Sequence, residues 1–168
     1  DALARLRAAA PGLPLRSVTL TAKDKICLCE TRECTPEACP YANGYYARIK
    51  EALAAALDYE GGADCALGAE ALTALARRFS VCPFELGLDL SLWSDVVIGD
   101  YNYLFDPTVR LQRFFETKGD YLFLIDEAHN LPDRARDMHS AALENTAFTA
   151  ARKALGKGRS RLKTALGR

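Results

Sequence analysis

Asp126-Glu127-Ala128-His129 sets two carboxylates side by side, directly after the apolar run Tyr121 to Ile125. At the carboxyl end of a parallel strand, one carboxylate can hold Mg²⁺ on the phosphates of a nucleotide, usually through water. A second carboxylate beside it can orient and deprotonate the attacking water. Asp126 is therefore assigned to Mg²⁺ and Glu127 to water activation, both at an ATP-type nucleotide. The competing reading makes Asp126 a helix N-cap, with Glu127 in the first helical turn. The apolar run just ahead favours the nucleotide reading.

Cys27, Cys34, Cys39 and Cys82 leave gaps of six, four and 42 residues. No C-x-x-C occurs, so the usual zinc knuckle is missing. Wide, uneven spacing suits four thiolates reaching the corners of an iron–sulfur cubane. Pro40 and Pro83 directly follow two of these cysteines, removing a backbone donor and stiffening the chain beside the sulfur. Zinc, or thiols that hold no metal, remain open on spacing alone. Cys29 alternates with Cys27 and is a possible substitute ligand, whereas Cys65 in its Gly-rich turn reads as a bystander.

Nucleotide chemistry also needs a phosphate-gripping loop, G-x-x-x-x-G-K-[ST]. The chain has none: Gly156-Lys157 fails because position 151 is Ala and position 158 is Gly. No appreciable ATPase activity is expected of this chain alone.

The elements that must position these groups follow from hydrophobic period and breakers. Residues 2–10 read as a helix stopped by Pro11 and Gly12. Ser17 to Thr21 reads as a strand delivering the chain to Cys27. Pro40 is placed to open an amphipathic helix over 41–58, with Ile49, Leu53 and Leu57 on one line. A second helix, about 68–79, carries Leu72, Leu75 and Phe79. Residues 95–99 read as a short buried strand, and 100–118 as helical from Pro107 on. Tyr121 to Ile125 reads as a parallel strand covered on both faces. Pro132 opens a helical stretch running to the C-terminus, weak at Gly156 and Gly158, with Leu155, Leu162 and Leu166 on its apolar line.

The 168 residues suit one domain or one domain plus part of another. No apolar run is long enough to span a membrane, and no secretory signal is visible. The chain begins with Asp in mid-helix pattern, which suggests a piece of a longer protein. Metal-ligating thiolates in a reducing cytoplasm fit the six cysteines better than a secreted disulfide framework. Seven of the 22 basic residues fall between Arg152 and Arg168, where there is no acid. That tail reads either as a contact for nucleic-acid phosphates or as a solvated helix face.

Four segments occur in register. They are Ala22-Lys23-Asp24-Lys25-Ile26-Cys27; Glu33 to Tyr41 with Gly44-Tyr45-Tyr46; Cys82-Pro83-Phe84-Glu85; and Asp95 to Pro107 ahead of the DEAH residues. Together they resemble the iron–sulfur superfamily-two DNA helicases, the xeroderma pigmentosum group D and DinG-like family, from about Leu15 to about Asp137. The resemblance implies a partial RecA-like motor domain of α/β class, with an inserted helical [4Fe–4S] domain and the start of a helical arch. The divisions expected are 1–22 and 93–132 for motor domain 1, 23–92 for the cluster domain and 133–168 for the arch.

It further implies ATP-driven 5′–3′ translocation on single-stranded or forked DNA, the remainder of the motor as partner, and a relay role for His129. The phosphate loop is expected upstream and the second motor domain downstream. Tyr101, Asn102 and Tyr103 are candidates to stack on bases or bond phosphate, although Tyr103, Leu104 and Phe105 read equally as core. Lys23, Lys25, Arg32 and Arg48 are candidates to line a strand-separating pore. The alternatives are a non-catalytic metal-binding DNA-interaction module and a redox sensor.

Overall fold

The computed structural model describes residues 2–58, 66–116, 119–142, 144–156 and 161. Cys65, Gly158, Leu162, Leu166 and most of the basic tail lie outside the described residues. The chain divides into two compact units, Asp1–Tyr103 and Leu104–Arg168. Among the described residues, no helix is long and apolar enough to cross a membrane.

The first unit mixes helices with a small parallel sheet. Helix α1 (Ala2–Ala9) leads to β1 (Ser17–Thr19) and to the single turn α2 (Lys23–Ile26). Helix α3 (Tyr45–Leu57), β2 (Ala66–Leu67), α4 (Ala69–Phe79), α5 (Pro83–Ser91), β3 (Val96–Ile98) and α6 (Asn102–Phe105) follow. The sheet order is β2-β1-β3, and both pairings are parallel. Ser17 lies opposite Ala66 on one side and Val96 on the other. Parallel neighbours need crossovers, and helices α2 to α5 supply them.

The core lies where α3, α4 and α5 meet one another and α5 meets β1. Val18, Leu67, Leu72, Leu86 and Leu90 are fully buried there. On α3 the buried face is Tyr45, Ile49, Ala52 and Ala56, with Leu53 and Leu57 half-buried beside it. Small alanines on that face let neighbouring helices approach closely. Gly87 does the same on α5: a Cβ there would stand 3.2 Å from Leu72 Cδ1.

Several sequence expectations are corrected. Pro40 does not open α3; it sits in a run of turns. The helix begins at Tyr45 because Gly44, at φ 63°, takes the left-handed conformation that interrupts a helix. Helix α4 ends at Phe79, as the 68–79 reading has it, but a further helix, α5, then starts at Pro83, which occupies a first-turn position where its missing N–H costs nothing. The strand at 96–98 forms, but at the sheet edge, so Val97 and Ile98 are exposed rather than buried. Among the described residues of 107–118, no long helix forms. Asp106 caps a turn by accepting from the Thr108 amide and hydroxyl, and only a 3₁₀ turn forms at Gln112–Phe114.

The second unit carries a further correction. Residues 121–125 do not form a paired strand among the described residues, and Leu122 and Leu124 are 86% and 89% exposed. Tyr121 and Phe123 are about half as exposed, and the Tyr121 ring meets Phe114 edge-on at 5.6 Å. That two-residue alternation marks extended backbone with one face covered and the other bare. An apolar run becomes a ladder only when neighbouring strands satisfy its amides. Helix α7 (Leu131–Met138) begins beside Pro132, and α8 (Asn145–Ala154) is separate from it. Ser140 to Ala142 break the continuous helix expected there.

Candidate functional site

The cysteines are presented by short, well-anchored stretches of the first unit. Ile26 is buried and pins α2, and Cys27 closes that turn with its amide on the Lys23 carbonyl at 3.0 Å. Cys27 then leaves in extended backbone, which carries the chain away from the core. Cys39 is locked between turns: its amide donates to the Thr35 carbonyl at 2.9 Å, and its own carbonyl accepts from Ala42 and Asn43. Cys82 precedes α5, and its carbonyl accepts from Leu86 at 2.9 Å. Buried Val81 and Pro83 hold it from either side. Cys34 is exposed in the loop between the first and third positions.

Cys29 Sγ lies 3.8 Å from Cys39 Sγ. Partial burial, then the Cys39 and Cys27 thiols, push the Cys29 thiol up to about 11. Burial likewise raises Cys82, against the pull of the Glu85 and Phe84 amides at the start of α5. Lys23 reaches Glu85 Oε1 at 3.2 Å and stands 5.0 Å over the Phe84 ring. Burial works against its charge, but Glu85, with Cys34 and Cys82 adding, holds its pKa above the ordinary value. Cys29 and Cys39 thus meet directly, with Cys27 close enough to act on the Cys29 thiol and Lys23 close enough to feel Cys34 and Cys82.

Among the described residues, no three His, Cys, Asp or Glu side chains meet where one metal ion could bind. A cubane asks less of the sulfurs, because each thiolate takes its own iron at a separate corner. The donor set is all sulfur, which zinc and iron–sulfur centres both accept, and Cys34 stands exposed in its loop.

The acidic turn belongs to the second unit. Asp126 Oδ1 accepts from the Glu127 amide at 2.9 Å. Glu127 sits at φ 51°, a left-handed conformation that is strained for a non-glycine residue. His129 Nε2 lies 3.3 Å from Glu127 Oε2, and both side chains are open to solvent. The three are consecutive around a tight turn that runs through a 3₁₀ turn at Ala128–Asn130 into α7. The residue that caps the 3₁₀ turn is Glu127, not Asp126, and it makes no side-chain cap bond.

The remaining candidates are scattered. Tyr101, Asn102 and Tyr103 are half-buried, and the Asn102 amide donates to Asp100 Oδ1. The Tyr103 ring covers Gly99, where a Cβ would stand 3.1 Å from Cδ2. Lys25 is exposed, while Arg32 pairs with Asp24. Arg48 turns inward onto main-chain oxygens instead of facing an opening. Glu85, Ser80 and Tyr45 support the cysteine stretches; Glu85 and Tyr45 lie in segments that carry the family resemblance, where no role was assigned to them. Glu85 sits three residues beyond Cys82, a capping-like position that offered the one signal available.

The DEAD_2 family signature matches residues 8–148. A Fanconi anemia group J protein homolog of Gallus gallus is 36% identical over 86 residues, 51% of this chain and 7% of that protein. A regulator of telomere elongation helicase 1 homolog of Anopheles gambiae is 32% identical over 77 residues, 46% of this chain and 8% of that protein. The ATP-dependent DNA helicase CHL1 of Candida glabrata is 34% identical over 74 residues, 44% of this chain and 9% of that protein. The matched segments thus span under a tenth of each of these relatives.

Proposed function

This chain belongs to the DEAD_2 family, the iron–sulfur superfamily-two DNA helicases of the xeroderma pigmentosum group D and DinG type, and on that premise we propose that it is one part of an ATP-dependent 5′–3′ DNA helicase. The observation that carries the proposal is the single family match over 8–148, which takes in the cysteine stretches and the DEAH turn in one register. In this reading, 1–22 and 93–132 belong to the first motor domain, 23–92 form a cluster domain and 133–168 begin an arch. The full protein works in a reducing compartment such as the cytoplasm, on single-stranded or forked DNA, with the rest of the motor supplying the phosphate loop.

Cys27, Cys34, Cys39 and Cys82 would hold a [4Fe–4S] cluster, which when bound would tie the 27–39 stretch to Cys82, 43 positions beyond Cys39. Asp126 would hold Mg²⁺ of ATP, Glu127 would take the proton from the attacking water, and His129 would report nucleotide state. Carboxylates in such roles need little burial until the nucleotide arrives, because substrate and metal bring the opposing charge. The exposed positions of Asp126 and Glu127 are consistent with that. Lys25 and Tyr101, with the Asn102 side chain, are the DNA contacts retained in this proposal. Lys23 contributes through its place beside Cys34 and Cys82.

The test is anaerobic reconstitution with ferrous iron and sulfide, followed by iron and sulfide analysis. Brown, thiolate-bound iron that is lost in Cys82→Ser is the expected result. Full iron content in Cys82→Ser would reject the ligand set, and zinc in place of iron would reject the cluster.

A further inference from the structure

We propose that Arg48 is a positioning residue for the cysteine site: its guanidinium straps the Cys39 loop to the Cys82 loop through three main-chain carbonyls. The proposal rests on the cluster reading above. Arg48 lies in the first turn of α3, between the two loops. Its Nη2 donates to the Pro40 carbonyl at 3.2 Å and also to the Asn43 carbonyl. Pro40 directly follows Cys39, and the Asn43 amide is itself bonded to the Cys39 carbonyl at 3.0 Å. On the other side, Nε and Nη2 both donate to the Ser80 carbonyl, at 3.1 and 2.7 Å. Ser80 stands two residues before Cys82.

Two left-handed residues make the strap possible. Ser80, at φ 53°, ends α4 and turns its carbonyl out of the helix ladder toward Arg48. Gly44, at φ 63°, lies one helical turn before Arg48, and a Cβ there would stand 2.7 Å from Nη1. The guanidinium thus fills the space that glycine leaves open. Adopting φ > 0 at a serine is unfavourable by itself. The bonds that its carbonyl makes to a charged donor offset that cost, since charge-assisted bonds are the stronger kind.

The chemistry requires arginine. A planar fork with five N–H donors can serve two loops at once, whereas a lysine ammonium on a flexible stem cannot hold both in a fixed relation. Cys39 and Cys82 are 43 positions apart, and all of α3 and α4 intervene. Fixing the flanking carbonyls sets the spacing of the two sulfurs before iron arrives, and ligand preorganisation of this kind strengthens metal retention.

The experiment measures iron release from the cluster-loaded protein to a chelator, with far-UV circular dichroism and the electron paramagnetic resonance of the reduced cluster. Arg48→Ala should release iron on the order of ten times faster, the usual scale for lost outer support of a metal site. Arg48→Lys should be intermediate, with an altered resonance signal and unchanged helicity. Lys50→Ala, on the exposed face of the same helix, should match the parent protein. Wild-type release and resonance in Arg48→Lys and Arg48→Ala would overturn the strap. So would an Arg48→Ala chain that unfolds while Arg48→Lys behaves as wild type. Cys82→Ser separates the two levels. If it loses iron while the Arg48 variants do not, only the strap fails; if it keeps iron, the cluster ligand set fails first.

Discussion

The Lys23 ammonium sits 3.2 Å from Glu85 Oε1, so the turn that presents Cys27 is tied to the helix that starts after Cys82. Both side chains are about a third exposed, which keeps the pair modest: about 0–1 kcal/mol for such an ion pair. The contact with Phe84 adds about 0.5–1 kcal/mol. Lys23→Ala should therefore lower stability by about 0.5–2 kcal/mol, the sum of those two contributions, as read by urea denaturation. The fold raises the Lys23 pKa above its ordinary 10.5, so its contribution is complete below that value and fades only as pH rises further. A Lys23→Ala loss that shrinks between pH 6 and 9 would contradict the pairing.

Tyr45 donates to Asp89 Oδ2 at 2.8 Å and closes the start of α3 onto α5. Burial first, then Asp89, push the phenol well above its ordinary range. Tyr45→Phe leaves a half-buried carboxylate short of a donor, at a cost of about 1.5–3 kcal/mol for a bond to a charged group. Stability should hold through neutral pH and decline as pH rises past the ordinary tyrosine value of 10.0, because only the unfolded chain then ionises freely. An unchanged denaturation midpoint in Tyr45→Phe would show that the hydroxyl contributes nothing.

Legibility from sequence followed the physics of each element. Helix α4 was readable because Leu72 and Leu75 repeat on one buried face of an otherwise charged segment. Helix α5 was not, since Leu86, Gly87, Leu88 and Leu90 are all buried and an element covered on most sides loses its 3.6-residue signature. The DEAH turn and the cysteine set could be named from residue types and order. Their supporting contacts could not: Glu85, Ser80 and Arg48 act between segments tens of residues apart, which no local pattern encodes. Tyr121 to Ile125 misled in the opposite direction, because apolar content announces a strand but cannot supply the neighbours it pairs with.

Leu122 and Leu124 are the most exposed leucines among the large apolar residues of the described chain, on backbone with unpaired edges. Such a segment templates association. The chain alone should show an apparent mass that rises with concentration in light scattering, and Leu122→Lys with Leu124→Lys should abolish the rise. In the complete motor the same pair should destabilise, since lysines would then enter a covered strand. Solubility unaffected by the double change would mean that the run is not the sticky surface.

Asp106 accepts from both the Thr108 amide and hydroxyl, and these bonds hold its carboxyl below the ordinary 3.8. Stability drawn from that turn is present above 3.8 and is lost as pH falls through the lower folded value. Thr108→Ala keeps the amide bond but deletes the hydroxyl, so the Asp106 carboxyl titration seen by carbon NMR should move back toward 3.8. A midpoint that stays put would assign the shift to the backbone alone.

Glu127 offers the most direct test of the proposed chemistry. Its left-handed backbone holds the side chain beside His129, whereas Asp126 spends one oxygen on the Glu127 amide and keeps the other available. The two acids therefore have different contacts even though they are adjacent. In the full-length protein, Glu127→Gln preserves size and hydrogen bonding but cannot accept a proton. ATP binding should survive while hydrolysis falls by about 10²–10⁴, the usual worth of a positioned base. Asp126→Asn should instead weaken Mg²⁺-dependent nucleotide binding, because it removes the charge that is proposed to hold the metal. Equal hydrolysis in Glu127→Gln and the parent protein would remove Glu127 from proton transfer, and an identical defect in both variants would mean that the turn acts as one structural unit without separate roles.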